Sequence, residues 1–134
     1  MNQKNLIFTF FIFLIVRFCQ LSMFGENVEE SGHARIVTLE NAKRLIEGIK
    51  EAEQIVGTEI ICGGSQGCNV EKKFVTPTIV LFDSADHNCS LLQNEIFGPI
   101  LPVIPVKEAN DAIQIINQKV TTSSFVIWRH LFLN

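Results

Sequence analysis

The chain has 134 residues, enough for one modest domain and too few for two. Its formal net charge is -3, with an isoelectric point near 5.6, and its 11 Lys and Arg residues are scattered, so no basic stripe points to a nucleic-acid partner. Hydrophobic residues make up 47% of it, an average raised by the two ends of the chain, between which the sequence has the mixed composition of ordinary soluble protein.

Residues 1–23 read as an apolar leader. Lys4 precedes a mostly apolar run from Leu6 to Val16, which Arg17 closes. The run is too short for a confident membrane span and fits the apolar core of a signal peptide or an anchor. Its cleavage side is poor, with only Ser22 usably placed. A β-prone stretch translated from sequence that is not normally coding fits Phe8, Phe10, Phe11 and Phe13 equally well, so both readings stay open. A real leader implies a membrane or secretory location; otherwise the chain is cytoplasmic.

From Phe24 the pattern becomes periodic. Thr38 is a plausible N-cap, and Leu39, Ala42, Leu45, Ile46, Ile49 and Ala52 share one face at helical spacing, with Glu40, Lys43, Arg44, Glu47 and Lys50 outside it. Gly57 closes this amphipathic helix of about four turns. Glu59 to Cys62 reads as a strand followed by a turn over Gly63 to Gly67. Phe74 to Phe82 carries a β-branched set suited to a strand, and Pro77 within it implies an edge position or a bulge.

Asp83 to Gln93 is expected to be a loop or short helix. Ile100 to Val106 is expected to be extended, because Pro99, Pro102 and Pro105 exclude a helix. Glu108 to Gln118 places Ala109, Ala112, Ile113 and Ile116 on one face of a second helix. The order helix, strand, strand, strand, helix gives an α/β fold class. Residues 120–134 form an apolar tail without a clear period, expected to be disordered or to adhere to a membrane or partner.

Cys19, Cys62, Cys68 and Cys89 contain no CxxC pair and no Cys/His cluster at zinc spacing, so neither a metal site nor a redox motif is indicated. His33, His87 and His130 are far apart and lack ligand spacing. A Cys62–Cys68 disulfide could span the intervening turn were the chain secreted, and Asn88-Cys89-Ser90 would matter as a glycosylation acceptor under the same condition. Gly63 to Gly67 has neither G-x-G-x-x-G spacing nor a following Lys-Ser/Thr, so a plain turn is expected rather than a phosphate loop.

The run Gln93-Asn94-Glu95-Ile96-Phe97-Gly98-Pro99-Ile100-Leu101-Pro102 is the most informative. An acidic residue and an aromatic stand two apart before a Gly-Pro pair that turns the chain sharply. Such a turn can present Glu95 and Phe97 at a cleft rim, where a carboxylate accepts from paired sugar hydroxyls and an aromatic face packs on a flat heterocycle. On residue types alone, a core Phe97 and a solvated Glu95 are favoured, since most aromatics are packing residues.

That run, with Phe24-Gly25-Glu26-Asn27, Arg35-Ile36-Val37 and the segment from Val75 to Val80, resembles the aldehyde dehydrogenase superfamily, most of all its class 3 and fatty-aldehyde branch. The resemblance covers residues 24–119 and implies an incomplete portion of that family's three-layer α/β/α catalytic domain, flanked by the non-matching ends. It implies NAD or NADP as cofactor, an aldehyde as substrate, Glu95 binding the hydroxyls of the nicotinamide ribose, and Phe97 positioning the nicotinamide ring. In the family, hydride passes from a thiohemiacetal to the cofactor.

That chemistry also needs a cysteine nucleophile, an oxyanion hole, a Glu base and a Rossmann domain, all of which lie upstream of the position matching Phe24 in the family. Cys19 lies in the leader, and Cys62, Cys68 and Cys89 match strand and loop positions, so none is expected to be catalytic. The expectation is a family fragment without activity of its own. The alternatives are a non-catalytic interaction protein that docks on a full-length relative through exposed strand edges, and a membrane-associated protein held through residues 1–23.

Overall fold

The computed structural model describes residues 32–118, and the leader 1–23 and tail 120–134 lie outside them. The first helix, α1, runs Leu39–Gln54 and starts where expected: Thr38 is extended, and its hydroxyl accepts from the Asn41 N–H at 3.2 Å. Ala42, Leu45, Ile46, Ile49 and Ala52 are all buried, as the 3.6-residue period requires, whereas Leu39 at its first turn is exposed. Gly57, with φ of 91°, follows the last turn in a conformation that a β-carbon would strain, and that carbon would also meet the Asp83 carboxylate.

Three strands follow in the sheet order β1-β2-β3: β1 Thr58–Cys62, β2 Thr78–Phe82 and β3 Ile100–Val103. β1 pairs antiparallel with β2, and β2 pairs parallel with β3 in the register Thr78 to Ile100 through Leu81 to Val103. The edge position expected from Pro77 is therefore wrong, because β2 is the central strand of the three. Pro77 stands one residue before its first paired residue, so the missing N–H costs no ladder bond. The irregularity falls on β1 instead, where the register shifts between Ile60 and Cys62.

The expected strand also began too early. Phe74 makes only an isolated antiparallel bridge with Asn69, and the chain from Val75 to Pro77 leads into β2 unpaired in the sheet. Phe74 is nonetheless 2% exposed, with the Arg35 guanidinium 4.7 Å from its ring centroid and His33 edge-on at 5.9 Å. The Ile36 N–H donates to the Lys73 carbonyl at 2.9 Å, which ties the segment before α1 to this bridge. β3 is shorter than the extended run expected to Val106.

Val80 and Phe82, at alternate positions of β2, pack with the apolar face of α1, Val75, Cys89, Leu91 and Ile100 into one core cluster. Phe82 is fully buried, and truncation to Ala at such a site costs about 3–5 kcal/mol. The short helix α2, Ser90–Gln93, sits close on α1: a β-carbon on Gly48 would lie 2.8 Å from Leu91 Cδ2. Helix α3, Ala109–Gln118, has no fully buried residue, and Ile113, expected on its inner face, is 48% exposed while Ile115 and Ile116 are half-buried. No helix among the described residues is long and apolar enough to cross a membrane.

Candidate functional site

The segment between α2 and β3 carries Glu95 and Phe97, and α1 determines how it lies. The guanidinium of Arg44 donates from Nη1 to the Glu95 carbonyl at 3.2 Å and from Nη2 to the Ile96 carbonyl at 2.9 Å. The next residue on α1, Leu45, is completely buried beneath Gly98, where a β-carbon would approach Leu45 Cδ1 to 2.5 Å. The Asn94 N–H donates to the Ser90 carbonyl, and the Thr78 N–H donates to the Pro99 carbonyl at 2.9 Å, so both ends of the segment are tied down.

Held this way, the segment sorts its side chains. Ile96 is half-buried against the core cluster, while Glu95 and Phe97 on either side of it are exposed. Phe97 is 72% exposed, which rules out the core role that residue type alone favoured. Its φ is 46°, in the left-handed region, where a non-glycine residue costs about 1–2 kcal/mol. An aromatic ring is thus held on the surface by a backbone conformation that opposes it. Such a ring offers its face to a flat partner, and a carboxylate two residues away can accept from paired hydroxyls.

Arg44 was expected on the outer polar face of α1, and here the structure differs. It is half-buried because the Glu95 loop folds back over α1. Helical periodicity places Arg44 beside the apolar face but carries no signal for a loop some fifty residues away. Other polar residues of α1 fasten loops in the same manner. Glu53 accepts from the N–H and the hydroxyl of Ser65 at 2.8 and 2.7 Å, and Glu51 accepts from the Ser90 N–H at 2.9 Å. The Ser90 hydroxyl first, and its N–H second, hold the Glu51 carboxyl below its ordinary pKa, against a small opposing effect of burial.

The three described cysteines are free thiols, including Cys62 and Cys68. Cys62 and Cys89 are buried, and burial pushes the Cys89 thiol up from its ordinary pKa, away from the thiolate form that nucleophilic attack uses. Cys68 is half-buried, donates to the Gly64 carbonyl at 3.5 Å and accepts from the Thr76 N–H at 3.4 Å. Gly63 and Gly64 both have positive φ and lead into a single 3-10 turn, Ser65–Gly67. The Gly64 N–H is already engaged by the buried Thr78 hydroxyl, as a structural turn would have it. Among the described residues, no three His, Cys, Asp or Glu side chains come together as a metal site requires.

A family model described as the aldehyde dehydrogenase family matches residues 14–129, taking in part of each flank as well as the middle. Aldehyde dehydrogenase family 3 member A2 of Pongo abelii is 32% identical over 108 residues, 80% of this chain and 20% of that protein. Aldehyde dehydrogenase family 3 member F1 of Arabidopsis thaliana is 39% identical over 99 residues, 73% of this chain and 19% of that protein. Among solved structures, the substrate-bound state of Staphylococcus aureus AldH matches with a TM-score of 0.62 at 29% identity, covering 75% of this chain and 20% of that one. The succinic semialdehyde dehydrogenase of Streptococcus pyogenes in complex with NADP+ matches with a TM-score of 0.54 at 25% identity, over 67% of this chain and 19% of that one.

The chain spans about one fifth of the length of the relatives it matches. Its α/β fold corresponds to a part of their catalytic domain. On the family match, the identities to class 3 relatives and the shared fold, the chain belongs to the aldehyde dehydrogenase family.

Proposed function

We propose that these residues are the part of an NAD(P)-dependent aldehyde dehydrogenase that contacts the nicotinamide half of the cofactor, within a protein whose reaction oxidises an aldehyde to a carboxylic acid. Glu95 accepts hydrogen bonds from the ribose hydroxyls, and the ring of Phe97 packs against the nicotinamide. The observation that carries the reading is Phe97 itself, an aromatic 72% exposed and held at φ of 46°, beside an exposed carboxylate on the same anchored loop. The succinic semialdehyde dehydrogenase solved with NADP+ supports the cofactor class.

The residues present fit such a group. A ring presented on a rigid loop loses little freedom when it meets a flat heterocycle, and a carboxylate with two oxygens suits a vicinal diol. When bound, the cofactor supplies the hydride acceptor. The chain's own part is orientation: the loop fixes where the ribose and ring sit, and Arg44 and Leu45 fix the loop.

The 134 residues by themselves are not expected to turn over an aldehyde. Burial leaves Cys62 and Cys89 inaccessible, and Cys68 is engaged with backbone groups on both sides. The test is to incubate the purified chain with a long-chain aldehyde and NAD+ or NADP+ while following the absorbance of reduced cofactor. No turnover is expected, and cofactor-dependent turnover would overturn this part of the reading.

A docking role is favoured by one observation. Among the described residues, β1 and β3 each pair on one side only, and Leu101 on β3 is 51% exposed. Co-elution with a full-length class 3 relative on size exclusion would support docking. Separate elution at micromolar concentrations would end it.

A further inference from the structure

We propose that Arg44 is a positioning residue for the cofactor loop: its guanidinium bridges the carbonyls of Glu95 and Ile96 and so sets the backbone from which Glu95 and Phe97 project. The inference deepens the reading above, and rests on it for the statement that this loop meets a cofactor. Phe97 carries the backbone strain of this loop. A non-glycine residue at φ of 46° relaxes to an extended or right-handed conformation unless its neighbours prevent it. On the C-terminal side, Gly98 is seated on buried Leu45, and the Ile100 N–H donates to the Gly98 carbonyl at 2.9 Å.

On the N-terminal side, both carbonyls immediately before Phe97 are engaged by Arg44. The left-handed residue therefore sits between two anchors, and both originate from neighbouring residues of α1. The chemistry suits arginine in particular. Two consecutive carbonyls present acceptors that a planar fork with several N–H donors spans at once, whereas a lysine ammonium on its flexible stem holds one acceptor well. Arg44 is half-buried, and its bond to Ile96 is partly shielded from water, which strengthens it relative to an exposed contact. Arg44 touches no reacting atom. It acts by keeping the loop in the conformation that binds, and a loop populating that conformation only part of the time binds with an affinity reduced by that fraction.

The experiment uses the full 134-residue chain labelled with nitrogen-15, comparing wild type with Arg44→Gln and Arg44→Lys. The first readout is the amide order parameter at Ile96, Phe97 and Gly98, with Ile79 and Val80 of β2 as internal control. In wild type the loop should match β2 at about 0.85; in Arg44→Gln it should fall below about 0.6 while β2 is unchanged, with Arg44→Lys between. A merely structural role would move loop and control together. Arg44→Lys, which keeps the charge and the aliphatic stem, decides the matter if Arg44→Gln fails to fold.

The second readout is NAD+ titration followed at the same amides, where Arg44→Gln should bind roughly tenfold more weakly and Arg44→Lys should recover part of the loss. Loop order unchanged in both variants overturns the proposal. If wild type shows no response to NAD+, the cofactor reading falls, while the order parameters still decide whether Arg44 holds the loop.

Discussion

Replacing Phe97 by Gly and by Ala tests two features at once, because the size of the loss reports how much the ring packs and the order of the two variants reports the left-handed backbone. Phe97 is 72% exposed, so only about a quarter of its surface is buried, and truncation forfeits roughly 1–1.5 kcal/mol at 25 cal/mol per Å² for a ring of this size. Phe97→Ala takes that loss and keeps the strain of φ at 46°, whereas Phe97→Gly takes the loss but relieves about 1–2 kcal/mol of strain. Glycine returns about 0.5–1 kcal/mol through its greater freedom in the unfolded chain.

The net expectation is that Phe97→Gly stays within about 1 kcal/mol of wild type and is more stable than Phe97→Ala by some 0.5–1 kcal/mol, the reverse of the usual order of these residues. Urea denaturation reports it as a shift in midpoint at constant slope. A loss above about 2 kcal/mol in Phe97→Gly would make Phe97 a packing residue, and Phe97→Gly falling below Phe97→Ala would mean that the backbone there is not strained; either result refutes the account.

Gly98→Ala should destabilise by about 1–3 kcal/mol, because the new carbon meets Leu45 Cδ1 at 2.5 Å and fully buried Leu45 must repack to admit it; thermal unfolding checks it. Thr38→Ala removes the acceptor for the Asn41 N–H and should cost about 1 kcal/mol in the same assay, with no effect expected on loop order at Phe97. The Glu51 carboxyl lies below its ordinary pKa in the folded chain, so its stabilising effect is present above the unfolded value and is lost as pH falls through the folded one. Stability in acid should accordingly fall less steeply for Glu51→Gln than for wild type, and parallel curves would show that the Ser90 contact contributes nothing.

Much of the fold was legible in the chain because its elements carry strong local signals. α1 has an N-cap and a 3.6-residue apolar stripe that function as read from Ala42 onward, although Leu39 is exposed and the helix ends at extended Ile55, two residues before Gly57. β2 was legible in composition but not in position. A proline that marks an edge in one context can equally stand one residue outside a central strand, and only pairing partners distant in sequence decide between the two. Helix α3 shows the same limit, since its period predicts an inner face but not how much of that face other elements cover.

At the site, Glu95 and Phe97 stood out through spacing and family resemblance. Local composition cannot encode that Phe97 is left-handed or that its ring is exposed, because both follow from the Gly98–Leu45 contact and from the Arg44 bonds. Arg44 read as one of several charges on a solvated helix face, and its two long-range acceptors are backbone carbonyls, which leave no trace in residue type.

The central claim is that the Glu95 carboxylate receives the cofactor's ribose hydroxyls. Titrating NAD+ into the labelled 134-residue chain and into Glu95→Gln, while following the amides of Ile96, Phe97 and Gly98, tests it most directly. Saturable shifts confined to this loop, with affinity about tenfold weaker in Glu95→Gln, are expected from the loss of charge-assisted bonds. Equal affinity in the two chains, or no response at the loop in either, would contradict it.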